Sequence, residues 1–306
     1  MTQTLGIARP LLRRDWLRIL PLPVLEAALL LSWSSGFVGA RFSIDYAPAF
    51  LVVFWRCVLV TLALTPLAWP ALRGLPRKVW WPNAGIGLLA MAGYLCGVTG
   101  GIAWGVPAGL AALVADLLPV GMALLGAAMG QRLAGVAWAG LALGSLGVLL
   151  ATQGALSLGH APLLAYALPL LGMLSLAVAT LWQQRLSCAA VLSPRVSLWL
   201  QCAVSAVAFA GIQGLQGSLW PIPTWGFAVS VLWTAAISTL GGYGLYWVCL
   251  HRAGHTRVAS VLFLSPGITL LWGWCLFGEP LSWMMALGTL VSGVGIGMVV
   301  WGRRAG

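Results

Sequence analysis

Apolar segments long enough to cross a membrane follow one another along almost the whole chain, and they constrain the fold more than any other feature. A helix that crosses the roughly 30 Å hydrocarbon core of a bilayer needs about 20 residues. Since lipid offers a backbone no hydrogen-bond partner, each segment is predicted to be helical. The ten segments are 22–41, 48–70, 81–103, 106–130, 133–152, 162–184, 196–213, 225–250, 257–278 and 282–301.

The composition argues against a soluble protein. Only 7% of the residues are charged and 61% are hydrophobic, whereas a soluble domain carries about 25% charged residues on its wetted surface. The strand-like alternation of a membrane barrel is also missing from the sequence. A net charge of +11 would suggest nucleic acid in a soluble protein. In a membrane protein, basic residues in loops set the topology, so we expect no nucleic-acid partner. We predict an all-α membrane protein.

The loops favour one orientation in the membrane. With the N-terminus inside, fourteen basic residues fall in cytoplasmic segments and only Arg41 falls in an outer loop. Such an excess of cytoplasmic arginine and lysine is the usual pattern in membrane proteins, and a missed or spurious helix would scramble it. We therefore predict ten spans, a cytoplasmic N-terminal segment at 1–21, and both termini in the cytoplasm.

The two halves of the chain share a motif. Each half has an alanine and a proline, and later two glycines, with equal spacing within each pair. These residues are Ala112, Pro119, Gly140 and Gly147 in the first half, and Ala259, Pro266, Gly288 and Gly295 in the second. Five helices is an odd number, so the second copy must be inverted in the membrane. The sequence predicts two inverted five-helix repeats, at 22–152 and 162–301, an architecture typical of alternating-access carriers.

Several segments resemble the drug/metabolite transporter superfamily in its ten-helix EamA form. The resemblance covers nearly the whole chain and is most specific in the second half. Gln131 stands where the family usually has a glutamate, so the first copy departs from the pattern there. The segments concerned are 31–38 (LSWSSGFV), Phe54-Trp55-Arg56, the stretch from Gly109 through Pro119 to Leu133, and the stretch from Leu264 through Pro266 to Leu281, which includes Gly278-Glu279.

This resemblance implies a secondary carrier, often an exporter, for small metabolites in the bacterial inner membrane. Within the superfamily, the chain looks most similar to YddG-type exporters of aromatic and other amino acids. The implied partners are a small-molecule substrate such as an amino acid, membrane lipid, and protons as a candidate coupling ion. We expect no cofactor. The resemblance does not identify the substrate, the coupling ion or the direction of transport.

Aromatic residues deep in the spans are candidates for a substrate site, since their rings stack on flat or cationic groups. Trp33 and Trp182 occupy the corresponding first and sixth helices. Tyr94 lies close to Gly100-Gly101, and Tyr243, Tyr246 and Trp247 follow Gly241-Gly242. Glycine pairs in matching helices indicate either cavity-lining interruptions or simple close packing. The candidate substrate-binding residues are Trp33, Tyr94, Asp116, Trp182, Tyr243, Tyr246 and Trp247, and Gly100 and Gly242 are candidate cavity-shaping residues.

Asp116 is an acidic residue well inside the fourth span, where a charge is costly and usually functional. It is predicted either to bind a proton or a substrate ammonium, or to be a structural partner of Arg56. Glu26 and Glu279 lie near span ends and are predicted to be interfacial. Pro119 and Pro266 remove a backbone donor inside matched helices, so they are predicted to act as hinges or to shape the cavity.

Other functional classes lack their motifs. No G-x-x-x-x-G-K-[ST] loop is present for ATP, and the five acidic residues are too scattered for an intramembrane enzyme or a metal set such as H-E-x-x-H. The sequence therefore predicts a secondary transporter and no enzyme. A channel, or a receptor without active transport, remains as the alternative.

Overall fold

The predicted apolar segments are helices. The structure is a computed structural model that describes residues 20–130, 134–156, 161–186 and 192–302, and every regular element in that part of the chain is helical. Residues 1–19 of the predicted N-terminal segment lie outside the described residues, and so do residues 131–133, which include Gln131.

Ten helices follow the order of the predicted spans. They are α1 Leu22–Ser43, α2 Ala49–Leu72, α3 Arg77–Ala103, α4 Ala108–Ala128, α5 Gly135–Leu156, α6 Leu163–Gln184, α7 Pro194–Gln216, α8 Trp225–Gly254, α9 in two pieces at 255–262 and Ser265–Phe277, and α10 Trp283–Gly302. Among the described residues, nine of these helices are long and apolar enough to cross a membrane. The predicted ninth span is the exception. The all-α fold predicted from the sequence is confirmed.

The fourth and ninth helices break at equivalent positions. Helix α4 stops at Ala115 and restarts at Leu118, and α9 stops at Leu262 and restarts at Ser265. Pro119 and Pro266 are each the second residue of the restarted piece. Proline is tolerated in a first helical turn because the backbone N–H there has no intrahelical partner. Each proline therefore lies in the first turn after a two-residue interruption of its helix, and its role as a hinge or a cavity-shaping residue stays a prediction.

The third and eighth helices contain matching π-helical segments. Leu88–Gly93 is π-helical within α3, and Trp233–Gly241 is π-helical within α8. The difference in residue number that relates Pro119 to Pro266 also aligns these two segments with each other. π-helical segments occur frequently at functional sites, so the two repeats have equivalent irregular regions in the middle of equivalent helices.

Contacts between α5 and α10 establish that the two repeats are inverted. Gly140 packs against the backbone of Gly295, and Gly147 packs against the backbone of Gly288. Residue numbers rise along one helix as they fall along the other, so these equivalent helices cross antiparallel. Gly288 is the counterpart of Gly140, and Gly147 is the counterpart of Gly295. When two residues and their two counterparts make the same contact, the repeats are related by a two-fold axis. Because the helices are antiparallel, the two-fold axis lies across the helices.

Other helix pairs follow the same two-fold relation. Equivalent helices α2 and α7 also run antiparallel, since Trp199 Nε1 donates to Thr65 Oγ1 at 2.9 Å while Phe50 packs on Phe209 at the other end. Helix α1 packs on α8, and its counterpart α6 packs on α3. The first and last residues of the repeats, at 22–152 and 162–301, stay a prediction.

Candidate functional site

A cavity lies between the two halves, bordered by α1, α2, α3 and α8. It offers about 70 Å³ to the centres of water molecules, well above the roughly 10–15 Å³ that a cavity needs to hold one water. Both π-helical segments contribute to its wall. Its lining residues are Trp33, Gly36, Phe37, Ala40, Arg56, Met91, Tyr94, Leu95, Val98, Thr99, Ser238 and Tyr243.

Three of the predicted aromatic residues meet in this cavity. Trp33 on α1 and Tyr243 on α8 lie with their ring centroids 5.8 Å apart, and Tyr94 on α3 completes the aromatic wall. Tyr246 stands behind Trp33, with ring centroids 6.1 Å apart, and is not in the lining. The cavity therefore presents aromatic faces from both repeats to one small volume.

Trp247 and Trp182 do not reach the cavity. Trp247 packs edge-on against Tyr246 and lies 6.4 Å from the ring of His251, towards the far end of α8. Trp182 is 39% exposed and lines a separate groove beside Met129, at the end of α4. Trp182 lies on the helix that corresponds to α1 but at a different position from Trp33, as the serine contacts described next show.

Matching serines hold the two π-helical segments. Ser32 Oγ on α1 donates to the carbonyl oxygen of Ile237 at 2.6 Å, and Ser175 Oγ on α6 donates to that of Leu89 at 2.8 Å. Since Ser32 and Ser175 are structural equivalents, Trp33 aligns with the residue after Ser175. That residue is Leu176, one and a half turns or more before Trp182.

The glycine pairs are not equivalent either. The offset between Pro119 and Pro266 places Gly241 over Tyr94, so the glycines of α3 and α8 fall at different points of their helices. Gly100 faces Phe50, and a Cβ at Gly242 would lie 3.8 Å from the Trp33 ring. Neither is in the cavity lining. The matched interruptions that the glycines were expected to supply are the π-helical segments.

Arg56 is the charged residue of the cavity wall. It is only 9% exposed, and its Nε donates to Thr239 Oγ1 at 2.8 Å. Thr239 in turn donates to the carbonyl oxygen of Thr234 at 2.8 Å within α8. This chain of bonds ties the middle of α2 to the π-helical segment. From the sequence, Arg56 was named as part of a family-like segment and as a partner for Asp116, but not as a site residue, although its position inside a span already indicated a functional group.

Asp116 lies at the break in α4 and pairs with a different residue. Its Oδ2 accepts a hydrogen bond of 3.0 Å from Ser265 Oγ, which begins the second piece of α9. Among the described residues, the ion pairs do not include one between Asp116 and Arg56. The interpretation of Asp116 as a structural partner of Arg56 was therefore wrong. Asp116 instead joins the two broken helices, within electrostatic range of Tyr94.

Ion pairs connect α1 to α9 at both ends. At one end, Arg41 Nη1 lies 2.9 Å from Asp45 and Arg41 Nε lies 3.4 Å from Glu279, which also accepts from the backbone N–H of Ala108. At the other end, Arg257 binds both carboxylate oxygens of Glu26, at 2.6 and 3.1 Å. Glu26 and Glu279 were predicted to be interfacial residues, and each is a member of a closed contact between helices.

A family comparison matches both halves of the chain. The model of the EamA-like transporter family matches residues 24–153 and again residues 163–301. The chain belongs to the EamA-like transporter family. Members of this family are transporters and not enzymes, so the chain is a multi-pass membrane transporter, as the sequence predicted.

Relatives with curated names agree with this membership. The chain is 27% identical to a probable amino-acid metabolite efflux pump of Escherichia coli K12, over 92% of this chain and 95% of that protein, and equally to its counterpart in Salmonella typhimurium LT2. It is 26% identical to the uncharacterised inner membrane transporter YedA of Escherichia coli K12, over 90% of each chain.

The fold also has a counterpart among solved structures. A crystal structure that is 21% identical superimposes with a TM-score of 0.61, covering 93% of this chain and 98% of the other. At this identity the likeness establishes the fold alone. The narrower resemblance to YddG-type exporters stays a prediction.

In this EamA-type transporter, the residues that sequence reasoning missed are polar groups beside the aromatic wall. Arg56, Thr99 and Ser238 line the cavity, and Thr239 supports Arg56. Short hydroxyl residues are common in membrane helices as packing groups, so their type alone did not distinguish them. The π-helical segments that turn Ser238 and Thr239 towards α1 and α2 have no recognisable signal in the sequence.

Proposed function

We propose that this chain is a secondary transporter that exports amino acids or related small metabolites across the bacterial inner membrane. The names of its relatives support the substrate class and the direction, since two of them are probable amino-acid metabolite efflux pumps. The relative named an inner membrane transporter supports the location. The excess of arginine in loops of one side supports cytoplasmic termini.

The observation that carries the proposal is the cavity between two inverted repeats. Its wall combines aromatic faces, from Trp33, Tyr94 and Tyr243, with a buried cation, Arg56. An amino acid has an anionic carboxylate and, in the aromatic members, a flat side chain that such a wall accommodates. Substrate sites of inverted-repeat carriers lie near the bilayer midplane at the interface of the repeats.

Alternating access follows from the contacts at the two ends of the cavity. The ion pairs Arg41–Glu279 and Glu26–Arg257 tie α1 to α9 at opposite ends, and the cavity between them is small. In the proposed cycle, these ion pairs close the two ends of the cavity. Opening one end requires one ion pair to separate while the other holds, as the two repeats rock about the cavity.

Asp116 is the proposed proton site. It is an acidic residue at the break between two helix pieces, and the hydroxyl of Ser265 donates to it. A carboxyl group that moves between hydrogen-bond partners as α4 and α9 shift is suited to couple a proton to the rocking motion. Protons are therefore proposed as the coupling ion.

Flux measurements in proteoliposomes test the function. We expect purified protein to release labelled amino acids from preloaded vesicles, with saturation, with stimulation by unlabelled substrate on the opposite side, and with a response to a pH gradient. Flux equal to that of empty liposomes for every amino acid and amine would contradict a transporter of these metabolites. Flux without saturation or counterflow would favour the channel alternative.

A further inference from the structure

Arg56 is a buried cation for which the described part of the protein provides no counter-ion. Its exposed fraction is 9%, and the ion pairs among the described residues are formed by Arg41 and Arg257 only. Titratable groups that interact electrostatically with Arg56 include the Cys57 and Cys202 thiols and the Tyr94 and Tyr243 hydroxyls. All four are ordinarily neutral at pH 7. A buried charge left unpaired in this way is costly.

The guanidinium is positioned with its fork open to the cavity. Only Nε makes a hydrogen bond within the described residues, to Thr239 Oγ1, which leaves the terminal nitrogens without a protein acceptor. In the described part of the chain, neither terminal nitrogen is a fully buried polar atom without a hydrogen-bond partner. Arg56 itself lines the cavity. A planar fork with its two terminal nitrogens free matches the geometry of a carboxylate.

We propose that Arg56 is the carboxylate subsite of this transporter, so that the protein carries amino acids as carboxylates and does not carry the corresponding amines or amides. The inference rests on the proposed function and adds its chemical selectivity. Thr239 positions the guanidinium by accepting from Nε. Trp33 and Tyr243, whose ring centroids lie 5.8 Å apart, then form one aromatic wall beside the rest of the substrate.

Competition binding to the purified transporter in lipid vesicles tests the proposal. The probes are labelled L-phenylalanine and L-leucine, displaced by the same amino acids, by their carboxamides and by phenethylamine. We expect the carboxamides and the amine to bind at least about tenfold more weakly than the acids, because a charge-assisted bidentate contact is lost. Arg56→Gln is expected to weaken binding of the acids by at least this factor and to leave the carboxamides unchanged.

Two further variants separate charge from position. Arg56→Lys keeps the charge without the fork and is expected to retain part of the preference for the acids. Thr239→Val removes the acceptor of Nε and is expected to weaken the acids by a smaller factor than Arg56→Gln. Arg73→Gln is the matched control, since Arg73 follows the end of α2 and lies over the ring of Trp69, away from the cavity. We expect Arg73→Gln to bind like the wild type.

The outcomes distinguish this proposal from the proposed function. Carboxamides that bind wild type as tightly as the acids, or an Arg56→Gln variant that still prefers the acids, would overturn the carboxylate subsite while transport stands. Displacement by chloride or phosphate as effective as displacement by the acids would overturn it in favour of a general anion site. No flux or binding of any amino acid or amine would overturn the proposed function, and the subsite with it.

Discussion

Asp116 and Ser265 show how much at this site depends on single residues. Asp116 belongs to the first repeat and Ser265 to the second, and each lies at the break in its own helix. The 3.0 Å hydrogen bond between them therefore spans the interface between the repeats. Burial of an acidic residue in a membrane is costly and is usually retained for function. Asp116 is therefore the residue at which proton coupling is most directly testable.

Replacing Asp116 with Asn is expected to abolish the response of transport to a pH gradient while leaving exchange of substrate for substrate intact. The amide keeps the size and the acceptor oxygen of the side chain but does not release a proton. The measurement is flux in proteoliposomes with and without an imposed pH gradient.

Ser265→Ala is the matched control for this experiment, because it removes the hydrogen bond and keeps the carboxyl group. It is expected to retain the response to the pH gradient. Unchanged proton dependence of Asp116→Asn would remove Asp116 from the coupling mechanism.

The sequence predicted some of the site residues and missed others for identifiable reasons. Deep aromatic residues are rare enough to be noticed, so Trp33, Tyr94 and Tyr243 were predicted. Trp182 was selected because its helix corresponds to that of Trp33, whereas the serine contacts align Trp33 with Leu176. The free fork of Arg56 depends on the distance to Asp116, and a sequence contains no such distance.

At the level of the helices, the π-helical segments are the main feature that the sequence did not predict. A π-helical turn adds a residue to the turn without changing residue type, so hydrophobic patterns over α3 and α8 read as continuous spans. The spans themselves and an irregularity at Pro119 and Pro266 were easier to predict, because length, apolarity and proline carry direct physical consequences.

The serines that hold the π-helical segments are expected to contribute equally to stability. Interhelical hydrogen bonds in membranes contribute about 0.6 kcal/mol each on average. Ser32→Ala and Ser175→Ala are therefore each expected to lower the free energy of unfolding by about this amount. The two sites belong to opposite repeats, so the double variant is expected to show the sum of the two effects.

The measurement is equilibrium unfolding in mixed micelles. Ser43→Ala is a control, since Ser43 bonds only within α1, to the carbonyl oxygen of Ala40. A double variant as stable as the wild type would contradict a role for these serines.

The glycine contact between α5 and α10 is expected to tolerate no added side-chain atom. A Cβ at Gly147 would lie under 3.0 Å from backbone atoms of Gly288 and Ser292. Gly147→Ala is therefore expected to lower the free energy of unfolding by about 1–3 kcal/mol through overpacking.

Gly293→Ala on α10 is the matched control for Gly147→Ala, because nothing lies within 4 Å of its Cβ position. Its stability is expected to equal or exceed that of the wild type, since alanine favours a helix over glycine. Equal stability of both variants would contradict the close contact.

At the scale of the whole molecule, the inverted repeats make the two faces of the transporter equivalent in backbone and different in side chains. On one face Arg41 pairs with Glu279, and on the other Arg257 pairs with Glu26 and Arg185 Nη2 lies 3.1 Å from the Met129 sulfur. The two faces are therefore held by different residues. We expect this difference to bias which face opens more easily.

Alternating access makes a specific prediction about distances at the two faces. The two-fold relation exchanges the loop between α3 and α4 with that between α8 and α9, and the loop between α2 and α3 with that between α7 and α8. Spin-label pairs at Trp104 with Trp220, and at Gly74 with His251, therefore report equivalent distances on opposite faces. All four positions are exposed.

The most direct test of the account is to measure both distances by pulsed electron paramagnetic resonance in lipid, in a background with Cys188 and Cys275 replaced by Ser. We expect L-phenylalanine or a pH gradient to shift the two distance distributions in opposite senses, so that one face widens as the other narrows. Distances that stay fixed during transport, or that widen on both faces together, would contradict alternating access between the inverted repeats.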